Sequence, residues 1–293
     1  MVTFRSRLLN RPMVAGIIVI AVYLSFYIIG EVASLIIANL IIVNNPLLAQ
    51  TARFVILFLI NVLVWFWIIP QALQLPDGRI SFAKYVDTIH LDRESGKPYG
   101  KNILYAFVYV SVFCLGLLIA SLLTGEYVFE IDRILGFPDN QGNLKSFGFV
   151  FNLIPGLFEE VAYRGVILVL LLRKYSEKTS IIISGIMFGV SHLINILVYG
   201  ISWNTLTQVL TGILIGVFFA YIVLKSGTLL ITIMIHYMYN SLSILFVVFD
   251  ESDPMVYFFS KMLFASIVPI LINGYLARNF LNTKTDSLSN QVD

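Results

Sequence analysis

A chain of 293 residues with 58% hydrophobic and 12% charged residues is unlike an ordinary soluble domain, where about a quarter of residues are charged. Mean hydropathy of +0.88 and repeated apolar runs of spanning length place it in a bilayer. A net charge of +2 says little about partners, no long basic tract points to nucleic acid, and the single cysteine excludes an internal disulfide or a multi-cysteine metal site.

Arg5, Arg7 and Arg11 precede the first apolar run, which continues beyond the core of a signal peptide and shows no small-residue cleavage site. It reads as a first spanning helix that is kept. Eight apolar segments follow one another, at about 13–43, 53–73, 102–123, 147–172, 179–198, 204–224, 228–249 and 255–277. Each is near the ~20 residues that cross a ~30 Å hydrocarbon core. The first is longer and must tilt or extend past the bilayer. Its Glu31 is expected near the helix end or facing other helices.

Lys and Arg collect in alternate connections: the amino end, 74–101, 173–178, Lys225, and the tail with Arg278 and Lys284. The opposite connections, 124–146 and 250–254, are rich in Asp and Glu. Cytoplasmic loops carry the excess of Lys and Arg, so both termini are expected inside a cell membrane. The segment 79–101, with Phe82, Tyr85, Val86 and Ile89 among charges, suggests a short interfacial helix or structured turn. The segment 124–146 carries enough apolar residues to lie on the outer surface, and the last dozen residues are polar. The expected architecture is an all-α polytopic membrane helical bundle forming a single domain over 1–293, with a motif-bearing core at about 100–250 and a polar tail at about 282–293. Cys114, in an apolar run, reads as a buried, inert thiol.

Polar residues interrupt the apolar segments at four places. Glu159, Glu160 and Arg164 lie on the fourth segment, just after Pro155 and Gly156. A charge at bilayer depth costs at least ~2.5–3.5 kcal/mol, so such residues mark either mutual pairing or a working site. Glu160 and Arg164 are i,i+4 and can pair, whereas Glu159 points about 100° away and can face a cavity. His192 lies on the fifth segment. His236 and Asn240, again i,i+4, lie on the seventh. Counted at 1.5 Å per residue, these side chains fall near one level toward the bilayer middle. Asn204, Thr205, Gln208 and Thr211 form a looser set on the sixth segment, of the kind helix ends tolerate.

The set contains bases, donors and a cation, without a Ser–His–Asp pattern or a His-Glu-x-x-His zinc helix. Glu with two His could bind Zn²⁺, leaving one position for water. A simpler reading needs no metal: a carboxylate acts as general base on water, a histidine holds that water, and an amide with a second histidine donates to an oxyanion. These parts suit attack of water on an amide carbonyl.

Glu159-Glu160-x-x-x-Arg164, Phe188-x-x-x-His192 and His236-x-x-x-Asn240 resemble, in order and placement, the three motifs of the CPBP family of intramembrane proteases, which includes the type II CAAX prenyl endopeptidases. The resemblance covers roughly residues 100–250. It implies about eight transmembrane helices around a conical intramembrane cavity, and a glutamate-dependent, metal-independent endopeptidase with no cofactor. By motif, Glu159 would activate water with His192, while His236 and Asn240 would form the oxyanion site. Glu160 and Arg164 would be the supporting pair. The implied partners are the bilayer and a peptide or protein substrate, either lipidated in the CAAX manner or simply hydrophobic, with no nucleic acid. Bacterial members tied to bacteriocin immunity and peptide-signal processing keep a non-catalytic membrane scaffold as the alternative, and a transporter or metal-dependent enzyme could use the same cavity.

Overall fold

The computed structural model describes residues 11–41, 46–73, 82–91, 99–123, 148–243 and 254–281. Helix α1 spans Pro12–Ile41. Helix α2 runs through Pro46–Leu63, a π-helical turn Val64–Ile68, and Ile69–Leu73. Short α3 is Phe82–Thr88 and long α4 is Tyr99–Leu123. Helix α5 is built from Gly148–Phe151, Leu153–Glu160, a π-helical turn Val161–Ile167, and Leu168–Leu172. Helix α6 is Glu177–Ser191, followed by a 3₁₀ turn His192–Asn195 and Ile196–Tyr199. Helices α7 and α8 are Trp203–Ser226 and Leu230–Leu242. Helix α9 joins Pro254–Met262, a π-helical turn Leu263–Ile267, and Val268–Phe280.

Among the described residues the fold is an all-α membrane bundle, and every one of the eight apolar segments is helical. Five helices are long and apolar enough to cross a membrane: Pro12–Ile37, Leu47–Gln71, Gly100–Leu123, Trp203–Ser226 and Phe258–Phe280. The motif-bearing helices α5, α6 and α8 are absent from that set. Two are broken and the third is short within the described residues. The break in α5 has a local cause. Pro155 has no N–H, and its ring cannot coexist with an α-helical carbonyl four residues earlier, at Phe151. The chain therefore turns at Asn152 and restarts at Leu153.

Two apolar clusters form the core. One gathers α1, α2, α3, α5 and α6 around Trp65, Phe158, Tyr163 and Phe188. The other gathers α4, α7, α8 and α9 around Tyr109, Phe113, Phe219 and Ile235. Cys114 is only partly buried against this second cluster, short of the full burial expected for it. The polar residues of α5, α6 and α8 lie along the seam. The segment expected to hold a short interfacial helix or a structured turn carries the short helix α3, which docks on the bundle. Tyr85 and Ile89 are buried, and Leu229 N–H donates to the His90 carbonyl at 2.9 Å. Glu31 faces a neighbouring helix, where Arg53 Nη2 donates to it at 2.8 Å and the Arg53 guanidinium lies 5.2 Å from the Phe151 ring centre. The outer segment 124–146 and the polar tail lie outside the described residues.

Helices α6 and α7 cross at two glycine pairs, Gly185/Gly189 and Gly212/Gly216, each spaced as small-x-x-x-small. Without a hydrophobic force between helices in lipid, close van der Waals approach holds such crossings. A methyl at Gly189 would sit 2.4 Å from the Ile213 nitrogen, and one at Gly185 2.4 Å from the Val217 nitrogen. Gly189→Leu is expected to destabilise the protein by at least the ~1–3 kcal/mol typical of overpacking, seen as a lower unfolding temperature in detergent. Leu at exposed Ile182, one face round the same helix, should leave that temperature unchanged.

Candidate functional site

Glu160 and Arg164 are both fully buried, and Arg164 Nη1 donates to Glu160 Oε1 at 2.8 Å. The pairing expected from i,i+4 spacing survives the π-helical turn that begins right after Glu160. That turn widens the helix, and its Tyr163 carbonyl accepts from Leu168 N–H and from Ser184 Oγ on α6 at 3.0 Å. The Arg164 guanidinium lies 4.3 Å from the Phe188 ring centre and 5.3 Å from that of Phe219. It is thus placed between aromatic rings of both apolar clusters.

His236 joins this pair from α8. Its Nδ1 is 2.7 Å from Glu160 Oε1, the oxygen that also accepts from Arg164. A carboxylate there fixes the Nδ1–H tautomer and leaves Nε2 facing outward. Nε2 is 3.7 Å from Glu159 Oε2, too long for a direct hydrogen bond. Glu159 keeps 18% of its side chain exposed while its neighbour Glu160 has none. The two adjacent carboxylates therefore differ as their helix positions predict. The hydroxyl of buried Tyr23 on α1 also faces Glu159.

Helix α6 ends at His192. Ser191 Oγ donates to the Phe188 carbonyl at 2.7 Å, and His192 Nδ1 lies 3.0 Å from the same oxygen. Side chains that take a backbone carbonyl in this way compete with helix continuation. Since a carbonyl only accepts, Nδ1 carries the proton and Nε2 is the nitrogen left for a ligand. His192 and His236 both meet the Phe188 ring edge-on, with centres 4.9 and 5.8 Å away.

His192, His236 and Asn240 line one cavity of about 600 Å³. Its apolar wall includes Phe113, Leu117, Ile215 and Phe219, and its polar wall Asn204, Thr205, Gln208 and Thr211. Those four residues of α7, which the sequence presents as a tolerated helix-end set, are cavity residues. Their i, i+4, i+7 spacing (204, 208, 211) was the signal that they share a face. Asn195 Nδ2 donates to Gln208 Oε1 at 2.8 Å, tying the turn after His192 to this wall. Lys261 of α9 also lines the cavity. Glu159 is not among the lining residues; it stands beside His236, which is. Among the described residues, no three His, Cys, Asp or Glu side chains converge to hold a metal ion.

Residues 142–242 match the family described as type II CAAX prenyl endopeptidase Rce1-like. The core of this chain is CAAX-protease-like. The matched stretch holds all three motifs and leaves α1, α2, α3, α4 and α9 outside. No curated protein and no solved structure matches the chain. Match and helices together indicate a multi-pass membrane protein of protease type, with a peptide as the kind of substrate the matched family implies.

Removing one partner of a buried ion pair typically costs ~3–5 kcal/mol, because the other charge is left unpaired. Arg164→Ala should therefore lower the yield of folded protein sharply. Glu159→Gln, at a partly exposed position, should not. Comparing the two by fluorescence-detected size exclusion checks the division, and equal yields would contradict it.

Proposed function

We propose that this chain is an intramembrane endopeptidase in which Glu159 activates water for attack on a peptide carbonyl. The observation that carries the reading is the meeting of three motifs from three helices: His192, His236 and Asn240 wall one cavity, and Glu159 lies 3.7 Å from His236 Nε2. In this reading the chain forms one membrane domain, lies in a cell membrane, and has both termini in the cytoplasm.

The step balances without a cofactor. Water's oxygen bonds to the carbonyl carbon and its proton passes to Glu159. His192, through Nε2, accepts from the same water. The oxyanion accepts from the Asn240 amide and from His236 Nε2 when that nitrogen carries a proton. Collapse breaks the C–N bond, Glu159 returns its proton to the leaving nitrogen, and an amine and a carboxylic acid leave. Glu160 and Arg164 touch no substrate; they hold His236 in place. The substrate is a hydrophobic or CAAX-type prenylated peptide, in keeping with the apolar wall.

A second reading, a non-catalytic scaffold that binds a partner in the same cavity, draws on Glu159 standing outside the cavity lining. Purified Glu159→Gln protein decides between them when incubated with prenylated and unprenylated hydrophobic peptides. General-base loss should lower turnover ~10²–10⁴-fold. Unchanged turnover would end the protease reading. Activity should also persist after exhaustive chelation, measured alongside bound zinc; activity lost on chelation and restored by Zn²⁺ would replace the glutamate mechanism with a metal one.

A further inference from the structure

We propose that the cavity is reached from the membrane face opposite the Lys- and Arg-rich one, and that it draws its peptide from that side. That the occupant is a peptide rests on the protease reading above; the side of access does not.

The lining residues come from one half of the bundle. Leu117 lies in the last turns of α4, Ser202 caps the start of α7, Ser243 caps the end of α8, and Lys261 lies in the first part of α9. These helix ends sit together: the Trp203 and Phe258 rings, from the starts of α7 and α9, are 5.5 Å apart. The opposite end is equally defined. There Tyr105 Oη near the start of α4 donates to the Asn273 carbonyl near the end of α9 at 2.9 Å, and Leu229 N–H donates to His90 O.

The cavity does not continue to that opposite end. Past Phe219, α7 is packed shut: Ala220, Ile222 and Val223 have no exposure, and Leu168, Ala220 and Leu224 form an apolar cluster of their own. The fully buried Arg164–Glu160 pair closes the same level on α5. From Thr211 the chain reaches Trp203 in about 12 Å, but needs about 22 Å to reach Ser226.

Charge assigns the two ends. Arg173 and Lys174 lie between α5 and α6, Lys178 lies in the first turn of α6, Lys225 lies in the last turn of α7, and Arg278 lies near the end of α9, all at the closed end. At the open end, residues 244–253 carry Asp250, Glu251 and Asp253 with no Lys or Arg. Lys and Arg mark the cytoplasmic side. The cavity therefore faces outward, and its occupant is a segment presented from outside or from the outer leaflet.

The sole cysteine makes the test direct. On a Cys114→Ala background, Asn204→Cys reports the cavity rim, Ile201→Cys, 92% exposed, the open end, and exposed Glu177→Cys the closed end. Each is treated with a membrane-impermeant maleimide in sealed right-side-out and inverted vesicles. Labelling of Asn204→Cys and Ile201→Cys only in right-side-out vesicles, and of Glu177→Cys only in inverted ones, is expected. Labelling of Asn204→Cys only from inverted vesicles would overturn the proposal. Ile201→Cys, on an exposed turn, reports sidedness even if the rim variant misfolds, and its labelling only from inverted vesicles would also overturn it. The same vesicles without cysteine changes are then given a hydrophobic peptide bearing an impermeant sulfonated fluorophore. Glu159-dependent cleavage confined to right-side-out vesicles is expected, and cleavage confined to inverted ones overturns the proposal. Outward labelling with no Glu159-dependent cleavage in either preparation would overturn the peptide and the protease reading, while the side of access stands on the labelling.

Discussion

The structure turns on a single buried cation. Arg164 has no access to solvent, so its charge must be answered inside the protein. Glu160 answers it one turn earlier, the faces of Phe188 and Phe219 flank it, and the Gly216 carbonyl lies 3.5 Å from Nη2. Those contacts reach α6 and α7, and His236 brings in α8 through Glu160. A buried ion pair seldom adds net stability, since desolvation consumes the Coulombic gain. Here Glu160 Oε2 and Arg164 Nε are buried without hydrogen-bond partners, which points the same way. What the pair supplies is registry: four helices must take one relative position for the charges to meet, and that position orients His236.

The second constraint is steric. Arg164 can lie against both Phe188 and Phe219 only if α6 and α7 come very close. The facing glycine pairs permit this, with Gly216 meeting the Gly185 backbone and Gly212 meeting Gly189. Gly212 also leaves room for the imidazole of His192, whose Nδ1 would be 3.5 Å from an added methyl. The same device recurs away from the site. In α9 the π-helical turn before Pro269 pushes the Phe264 carbonyl outward, toward a place on α4 where Gly116 has no side chain to meet it.

Much of this could be read from residues alone. Apolar length located every helix but α3, and i,i+4 spacing paired Glu160 with Arg164 and separated Glu159 from both. The partner of Glu31 was not legible, because Arg53 lies 22 positions away and only the packing of α1 on α2 joins them. Nor was the role of Asn204 and Gln208: polar residues near a helix end look alike whether they face headgroups or a cavity, and only the neighbours decide. Tyr85 shows a further limit of the pattern. Its spacing with Phe82 and Ile89 suits a helix lying on a membrane surface, yet Tyr85 and Ile89 insert into the core while Phe82 stays exposed. Amphipathicity identifies a buried face without naming what buries it.

The three motif helices are also the three that fall short of a continuous span. An unbroken helix satisfies all its own backbone and so offers a cavity only side chains. Breaking it at Asn152, at His192, or through the π-helical turn after Glu160 releases carbonyls that must be satisfied otherwise. Ser184, Ser191 and the His192 ring take up two of them. In doing so they lock the ring of one histidine and the backbone around the buried ion pair. Irregular backbone at this depth is tolerable only beside protein or a wet cavity. The interruptions and the cavity therefore require each other. The five helices long enough to span, α1, α2, α4, α7 and α9, serve as the wall that keeps lipid away from both.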